Sequence, residues 1–79
     1  MSLQIQHSLP ERVRIRAPFV RNNAAAAHAL EQYAKDIEGI QWIRANTKCA
    51  TIVVRFNQSM LSAMDVLHLL QQQSRWGTA

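Results

Sequence analysis

Two neighbouring apolar stretches within residues 39–56 constrain the fold more than any other part of the chain. In the second stretch Ile52, Val54 and Phe56 alternate with more polar residues, which is the two-residue period of a β-strand with one buried face. The first stretch has a less regular apolar face made by Ile40, Ile43 and Ala45. Residues 46–48 lie between them and read Asn-Thr-Lys, a composition typical of tight turns. The sequence therefore predicts a β-hairpin.

Another strand is predicted ahead of the hairpin, over residues 11–16, where Val13 and Ile15 alternate with arginines. Pro10 precedes this strand, and proline is tolerated there because it cannot donate a hydrogen bond within a ladder. We expect residues 1–6 to form a loose arm. Residues 74–79 are expected to be either a frayed tail or a stub of a further strand.

Two helices are predicted, one on each side of the hairpin. The first covers residues 24–38, with an asparagine cap at position 22 or 23, an apolar stripe, a Glu31–Lys35 pair one turn apart, and Gly39 just past its end. The second follows Ser62-Ala63-Met64-Asp65, which resembles a capping box, and runs to about residue 73.

The order strand, helix, strand, strand, helix restricts the topology. A crossover between parallel strands of one sheet is right-handed almost without exception. This rule places the first predicted strand antiparallel beside the third, with both helices on one face, which is the ferredoxin-like split β-α-β arrangement. We predict an α+β sandwich with an antiparallel sheet, its fourth strand short or absent. The predicted core is Val13, Ile15, Leu30, Ile37, Ile40, Ile43, Ile52, Val54, Phe56, Val66, Leu67 and Leu70.

The composition fits one small globular domain over residues 1–79, with its core between residues 7 and 72. The chain is 48% apolar and 18% charged, and no apolar run approaches the roughly 20 residues that span a bilayer. The single cysteine excludes an internal disulfide and fits a reducing compartment. We therefore expect a cytoplasmic location.

The sheet face opposite the helices is the most informative predicted surface. Seven of the nine basic residues are arginine, and strand alternation places five of these on this face. Two interpretations remain open: a solvated face covered by arginine stems, or a docking surface for an acidic partner or a phosphate backbone. We call this surface the arginine face; its predicted functional residues are Arg12, Arg14, Arg16, Trp42, Arg44 and Arg55.

Three segments together resemble the heavy-metal-associated domain superfamily. They are H-S-x-P-x-R-x-R-x-R from His7, an alanine-rich helix ending in E-G-I, and W-I-R-A-N-T-x-x-x-x-I-V-V-R-F from Trp42. More narrowly, the chain resembles the variant without paired cysteines that is found ahead of metal-transporting P-type ATPases, and sometimes as small separate proteins. The resemblance covers residues 7–72. It implies a ferredoxin-like fold and a role linked to metal-ion transport or homeostasis.

Typical members of that superfamily hold a soft ion such as copper(I) with two cysteine thiolates in the loop after the first strand. Here the loop, residues 17–23, reads APFVRNN and contains no cysteine, histidine or acidic residue, and Arg21 would repel a cation. The resemblance therefore carries over no metal ligand, and we expect no cofactor. The remaining candidate ligands are Cys49, expected at the same end of the fold as this loop, and His7, expected on the arm at the opposite end.

No constellation typical of catalysis occurs in the sequence, so we predict a protein that is not an enzyme. The leading hypothesis is an accessory or regulatory domain that contacts a protein partner or a neighbouring domain of a metal transporter. The alternative is a nucleic-acid- or anion-binding module that uses the arginine face. Nucleic acid is disfavoured because the central strands offer no aromatic side chain for base stacking. A dimer through edge pairing or through sheet stacking is a third possibility.

Overall fold

The computed structural model describes residues 3–71, which form one antiparallel four-stranded sheet with two helices packed on one of its faces. The strands are β1 (Gln4–Leu9), β2 (Arg12–Arg16), β3 (Ile40–Asn46) and β4 (Thr51–Phe56), and the helices are α1 (Ala24–Tyr33) and α2 (Ala63–Gln71). The strand order across the sheet is β1-β2-β4-β3. This arrangement confirms the predicted α+β ferredoxin-like fold.

The fourth strand of the sheet is N-terminal, which corrects the sequence prediction. β1 pairs antiparallel with β2 through a hairpin whose turn residues are Pro10 and Glu11. The expected loose arm over residues 1–6 is therefore wrong for residues 4–6. β1 takes the place beside β2 that a C-terminal strand would occupy in a complete split arrangement. The possible strand stub at 74–79 lies outside the described residues.

A break in periodicity explains why β1 escapes a sequence-based prediction. The register with β2 shifts between Ile5 and His7, as in a β-bulge, so apolar and polar residues do not alternate along the strand. Ile5 still lies opposite Ile15, and Leu3 just before the strand is buried in the core. The N-terminal strand therefore contributes to the core as well as to the sheet.

The central pair of strands holds the core in register. β2 and β4 are antiparallel neighbours as predicted, with Val13 opposite Val54 and Ile15 opposite Ile52, and all four side chains are fully buried. The predicted core is confirmed except for Ile37, which is only half-buried. Buried residues outside the predicted core are Leu3, Ala17, Val20, Ala26, Ala27, Tyr33, Ala34 and Ala50.

Local hydrogen bonds explain where the helices begin. The Asn23 side-chain oxygen accepts a hydrogen bond from the Ala26 backbone nitrogen at 3.0 Å, which caps α1. At α2 the Asp65 nitrogen donates to Ser62 Oγ (3.1 Å), and the Ser62 nitrogen donates to Asp65 Oδ2 (2.9 Å). This reciprocal pair is the predicted capping box with aspartate as its acidic member.

The first helix ends five residues earlier than predicted. α1 stops at Tyr33, a single 3₁₀ turn follows over Ala34–Asp36, and Ile37 is extended. The predicted Glu31–Lys35 ion pair is absent among the described residues. Glu31 Oε2 instead accepts a hydrogen bond from the backbone nitrogen of Ala45 in β3, at 3.2 Å. This hydrogen bond connects α1 directly to β3, an outer strand of the sheet.

Within residues 3–71, neither helix has the length and apolar character that crossing a membrane requires.

Candidate functional site

Strand pairing arranges the outward side chains of the sheet in three rows. The middle row is His7, Arg14, Val53 and Arg44. The row toward the β1–β2 turn is Leu9, Arg12, Arg55 and Trp42, and the row toward the β3–β4 turn is Gln4, Arg16, Thr51 and Asn46. The six residues predicted for the arginine face therefore lie on one side of the sheet and are distributed over all three rows.

The position of His7 differs from the one expected. It lies within β1 directly opposite Arg14, so it is part of the arginine face rather than of an arm at one end of the fold. Together with Arg12, Arg14 and Val53 it lines a small cavity of about 120 Å³. The bulge after Ile5 brings His7 onto this face, and because it interrupts the alternation of apolar and polar residues, no local pattern predicts this position.

Two arginines lie directly opposite each other in the row near the β1–β2 turn. Arg12 of β2 pairs with Arg55 of β4, and like charges in such cross-strand positions destabilise a sheet. Glu11 relieves this repulsion, because its Oε1 lies 3.5 Å from Arg55 Nη2. Within residues 3–71 this is the one salt bridge, and its side chains remain 42% and 52% exposed. It neutralises only one guanidinium of the arginine face.

The acidic residues other than Glu11 lie away from the arginine face. Glu31 and Asp65 are in the helices, and Asp36 and Glu38 are in the segment that links α1 to β3. The outward positions of the four strands contain five arginines and no acidic residue. Among residues 3–71, the carboxylates other than Glu11 therefore lie apart from the five arginines of the sheet.

Trp42 and Arg44 contact each other on the outer strand. The guanidinium carbon of Arg44 lies 4.9 Å from the centre of the Trp42 ring, within the range of a cation–π interaction. The two residues are two positions apart in β3 and point to the same side. The Trp42 ring therefore orients the Arg44 guanidinium, and the guanidinium covers part of the ring.

A concavity of about 720 Å³ lies where the arginine face meets the β3–β4 turn. Three of the side chains that line it are cationic, namely Arg14, Arg44 and Lys48. None of the described residues in its lining is acidic. The polar and cationic residues of the lining are Gln6, Arg14, Arg44, Asn46, Thr47, Lys48 and Thr51, with Cys49 also present. The sequence alone does not predict Gln6 or Lys48 as lining residues, because the concavity depends on β1 and on the conformation of the β3–β4 turn.

The loop after β2 packs against the β3–β4 turn. The nitrogen of Ala17 donates to the oxygen of Ala50 (2.8 Å), and the nitrogen of Asn22 donates to the oxygen of Thr47 (3.0 Å). Cys49 therefore lies at the same end of the fold as this loop, as expected, and it is exposed.

The residues of this loop do not fit a thiolate-held soft cation. Ala17 and Val20 are fully buried, so an apolar turn occupies the segment in which typical members carry the two cysteines. The side-chain oxygen of Asn23 is already engaged in capping α1. Among residues 3–71, no three histidine, cysteine or acidic side chains come together in a group that could hold a metal ion.

Comparison with known proteins gives one family. Neither a curated protein nor a solved structure matches the chain. The protein family described as Heavy metal associated domain 2 matches residues 1–72, a range that includes every strand and helix described above. The match extends through β1, which is the strand that joins the arginine face from the N-terminal side. The chain belongs to the Heavy metal associated domain 2 family.

Proposed function

We propose that this chain is a non-catalytic accessory or regulatory domain of a metal-ion transport or homeostasis system, and that it acts by contacting an acidic protein surface. Family membership supports a metal-related role. The observation that carries the protein-contact part is the arginine face, where five arginines in three rows are accompanied by a single carboxylate at the rim. The partner is a cytoplasmic protein or a neighbouring domain of a metal transporter.

The geometry of the arginine face favours a protein partner with clustered carboxylates. Arg12, Arg14, Arg16 and Arg44 are exposed. Guanidinium groups form bidentate hydrogen bonds with carboxylates, and complementary charge raises association rates and selects partners. The rows extend across all four strands, so the surface can meet several acidic side chains at once.

The loop after β2 supports an indirect connection with metal. An apolar turn with buried Ala17 and Val20 replaces the thiolate motif, while the rest of the family fold is kept. A domain of this kind can retain the contact surface of a metal-handling module without holding the ion itself. Such a domain would regulate or dock to a metal-handling partner rather than bind the ion.

Titration of the purified protein with copper(I) and with zinc tests the metal part. We expect no tight stoichiometric binding of either ion, and we expect the Cys49→Ser variant to give the same result as the unmodified chain. Tight one-to-one binding that Cys49→Ser abolishes would overturn this part of the proposal.

Binding of a fluorescent glutamate-rich peptide, followed by anisotropy at low salt, tests the contact part. Changing Arg12 and Arg16 to glutamine should weaken binding by about tenfold, since an exposed ion pair typically contributes about 0.2–1 kcal/mol and a tenfold change corresponds to about 1.4 kcal/mol. The matched control changes Arg21 and Lys35 to glutamine, which removes the same charge from outside the arginine face. Equal weakening by both double variants would show that net charge, not this surface, binds the peptide.

Single-stranded nucleic acid fits the same surface less well. The outward positions of the central strands β2 and β4 carry arginine, threonine and valine, and no aromatic residue. Trp42 lies on the outer strand β3 and its ring is in contact with Arg44. Base stacking on aromatic side chains, which is the main sequence-tolerant contribution to such binding, is therefore missing from the centre. A single-stranded oligonucleotide should bind the protein more weakly than the glutamate-rich peptide at equal ionic strength.

A further inference from the structure

We propose that the concavity between Arg14, Arg44 and Lys48 is a binding site for a small oxyanion with several negative charges, of the polyphosphate or polycarboxylate class. This site goes beyond the protein contact proposed above, because it would take a soluble ligand at one end of the arginine face. It is separate from the row that contains Arg12 and Arg55, beside which Glu11 lies.

Strand register brings two of the three cations together. Arg14 on β2 and Arg44 on β3 both lie opposite Val53 of β4, one on each side. Neighbouring strands are about 4.8 Å apart, so the two Cα atoms are separated by roughly 10 Å across a short apolar side chain. Both arginine side chains line the same concavity. An anion above Val53 can therefore receive hydrogen bonds from two guanidinium groups on opposite sides.

The third cation stands on a turn that hydrogen bonds hold in place. The side-chain oxygen of Asn46 accepts from the backbone nitrogens of Lys48 and Cys49, each at 3.0 Å. The Thr47 oxygen accepts from the nitrogen of Asn22, which ties the turn to the loop after β2. Arg44 is oriented by its contact with Trp42. Preorganised cations bind an anion with a smaller loss of conformational entropy.

The remaining lining explains why the ligand should carry several charges. Thr47, Thr51 and Gln6 supply neutral hydrogen-bonding groups, and no acidic side chain among the described lining residues offsets the three cations. A singly charged ion would leave most of this positive charge uncompensated, whereas a polyphosphate or polycarboxylate can contact all three cations. The volume of about 720 Å³ is within the range of roughly 300–1,000 Å³ typical of small-molecule sites.

The row near the β1–β2 turn provides the comparison within the same molecule. Arg12 and Arg55 are also adjacent, but Glu11 lies 3.5 Å from Arg55 and reduces the local positive charge. Arg12 does not line the concavity of Arg14, Arg44 and Lys48. Replacement of Arg12 by glutamine is therefore a control that removes one guanidinium from the arginine face and leaves the proposed site intact.

Calorimetric titration with pyrophosphate and, separately, with citrate tests the site at constant ionic strength. We expect saturable one-to-one binding of at least one of the two, and their relative affinities identify the phosphate or carboxylate class. Arg14→Gln and Arg44→Gln should each weaken binding by about tenfold, as expected for a lost hydrogen bond between charged groups. Arg12→Gln should change the dissociation constant by less than about twofold, because screening weakens its longer-range effect. Circular dichroism of each variant verifies that the fold is retained.

Two outcomes would overturn the proposal. One is the absence of saturable binding of both anions at millimolar concentration. The other is an equal loss of affinity in Arg12→Gln and in the two site variants, which would indicate diffuse attraction to the arginine face. Neither outcome affects the proposed protein contact, since the glutamate-rich peptide assay uses Arg12 and Arg16, which lie outside this concavity.

Discussion

Among residues 3–71, Gly39 is the residue whose backbone conformation is least accessible to other amino acids. Its φ is +100°, a value that side chains with a Cβ rarely adopt. A Cβ at this position would lie 3.0 Å from Leu61 Cδ1 and 3.2 Å from Leu61 Cγ. The Gly39 oxygen also accepts a hydrogen bond from the nitrogen of Asn57 at 2.7 Å. Gly39 thus allows the chain to leave the 3₁₀ turn, enter β3 and bond to the end of β4.

Replacing Gly39 with alanine should lower the free energy of unfolding by roughly 1–3 kcal/mol, mainly because of the strained φ. Denaturant unfolding measures this change, and Glu38→Ala next to it is the exposed control. The same substitution in a Leu61→Ala background separates strain from steric contact. Most of the destabilisation should persist there; its disappearance would mean that the contact with Leu61, not the backbone, sets the cost.

Substitutions in β2 can compare the contributions of the buried and the exposed face of the sheet to stability. Ile15 is fully buried between Ile5 of β1 and Ile52 of β4, while Arg14 and Arg16 on either side of it are exposed. Ile15→Ala should cost on the order of 2–5 kcal/mol, because it removes buried methyl groups from a small core. Arg14→Ser and Arg16→Ser should each cost within about 0.5 kcal/mol.

Thermal and denaturant unfolding of these three variants checks the register of β2. A slip by one residue would exchange the inward and outward side chains. Comparable destabilisation by the arginine and isoleucine substitutions would therefore contradict the strand as described.

The elements that sequence analysis predicts correctly are those with a clear local signal. β2 and β4 alternate with a two-residue period, and Asn23 and Ser62 have side chains that cap helices. β1 has no such signal, because its bulge interrupts the period and its position depends on pairing with β2. The early end of α1 at Tyr33 has no local signal either, since residues 34–38 include no proline or glycine that would stop a helix.

The arginine face was largely predictable and the anion site was not. Alternation alone places Arg12, Arg14 and Arg16 on one side of β2. Joining Arg14 to Arg44 requires the cross-strand register through Val53, and adding Lys48 requires the conformation of the β3–β4 turn. These relations depend on residues distant in sequence, which a local pattern does not encode.

At the scale of the whole molecule, the separation of charge affects stability as well as binding. Five arginines on one sheet face repel one another in the folded state, and Arg12 faces Arg55 directly. The Debye length falls from about 30 Å at 0.01 M salt to about 8 Å at 0.15 M, so added salt weakens this repulsion.

Raising the salt concentration over this range should therefore increase the free energy of unfolding by a few tenths of a kcal/mol, up to about 1 kcal/mol. Denaturation with urea, which is uncharged, measures the effect. Arg12→Gln should be more stable than the unmodified chain at low salt and show a shallower salt dependence. Arg21→Gln, in the loop after β2, is the matched control and should not alter the dependence. A decrease of stability with salt would indicate that attractive ion pairs outweigh the repulsion.

The hydrogen bond from Ala45 to Glu31 makes the two outer strands of the sheet unequal as sites for the addition of another strand. β3 and β1 are its two outer strands, and at β3 a charged acceptor already occupies a backbone donor. A strand added there would have to displace Glu31, whereas β1 is exposed at every position except Ile5, which is half-buried. If two copies joined through β1, the outer strand left in each copy, among residues 3–71, would be β3, where Glu31 occupies one backbone donor. Adding a further strand to such a pair would then require the displacement of Glu31, which would oppose growth of the sheet beyond two copies.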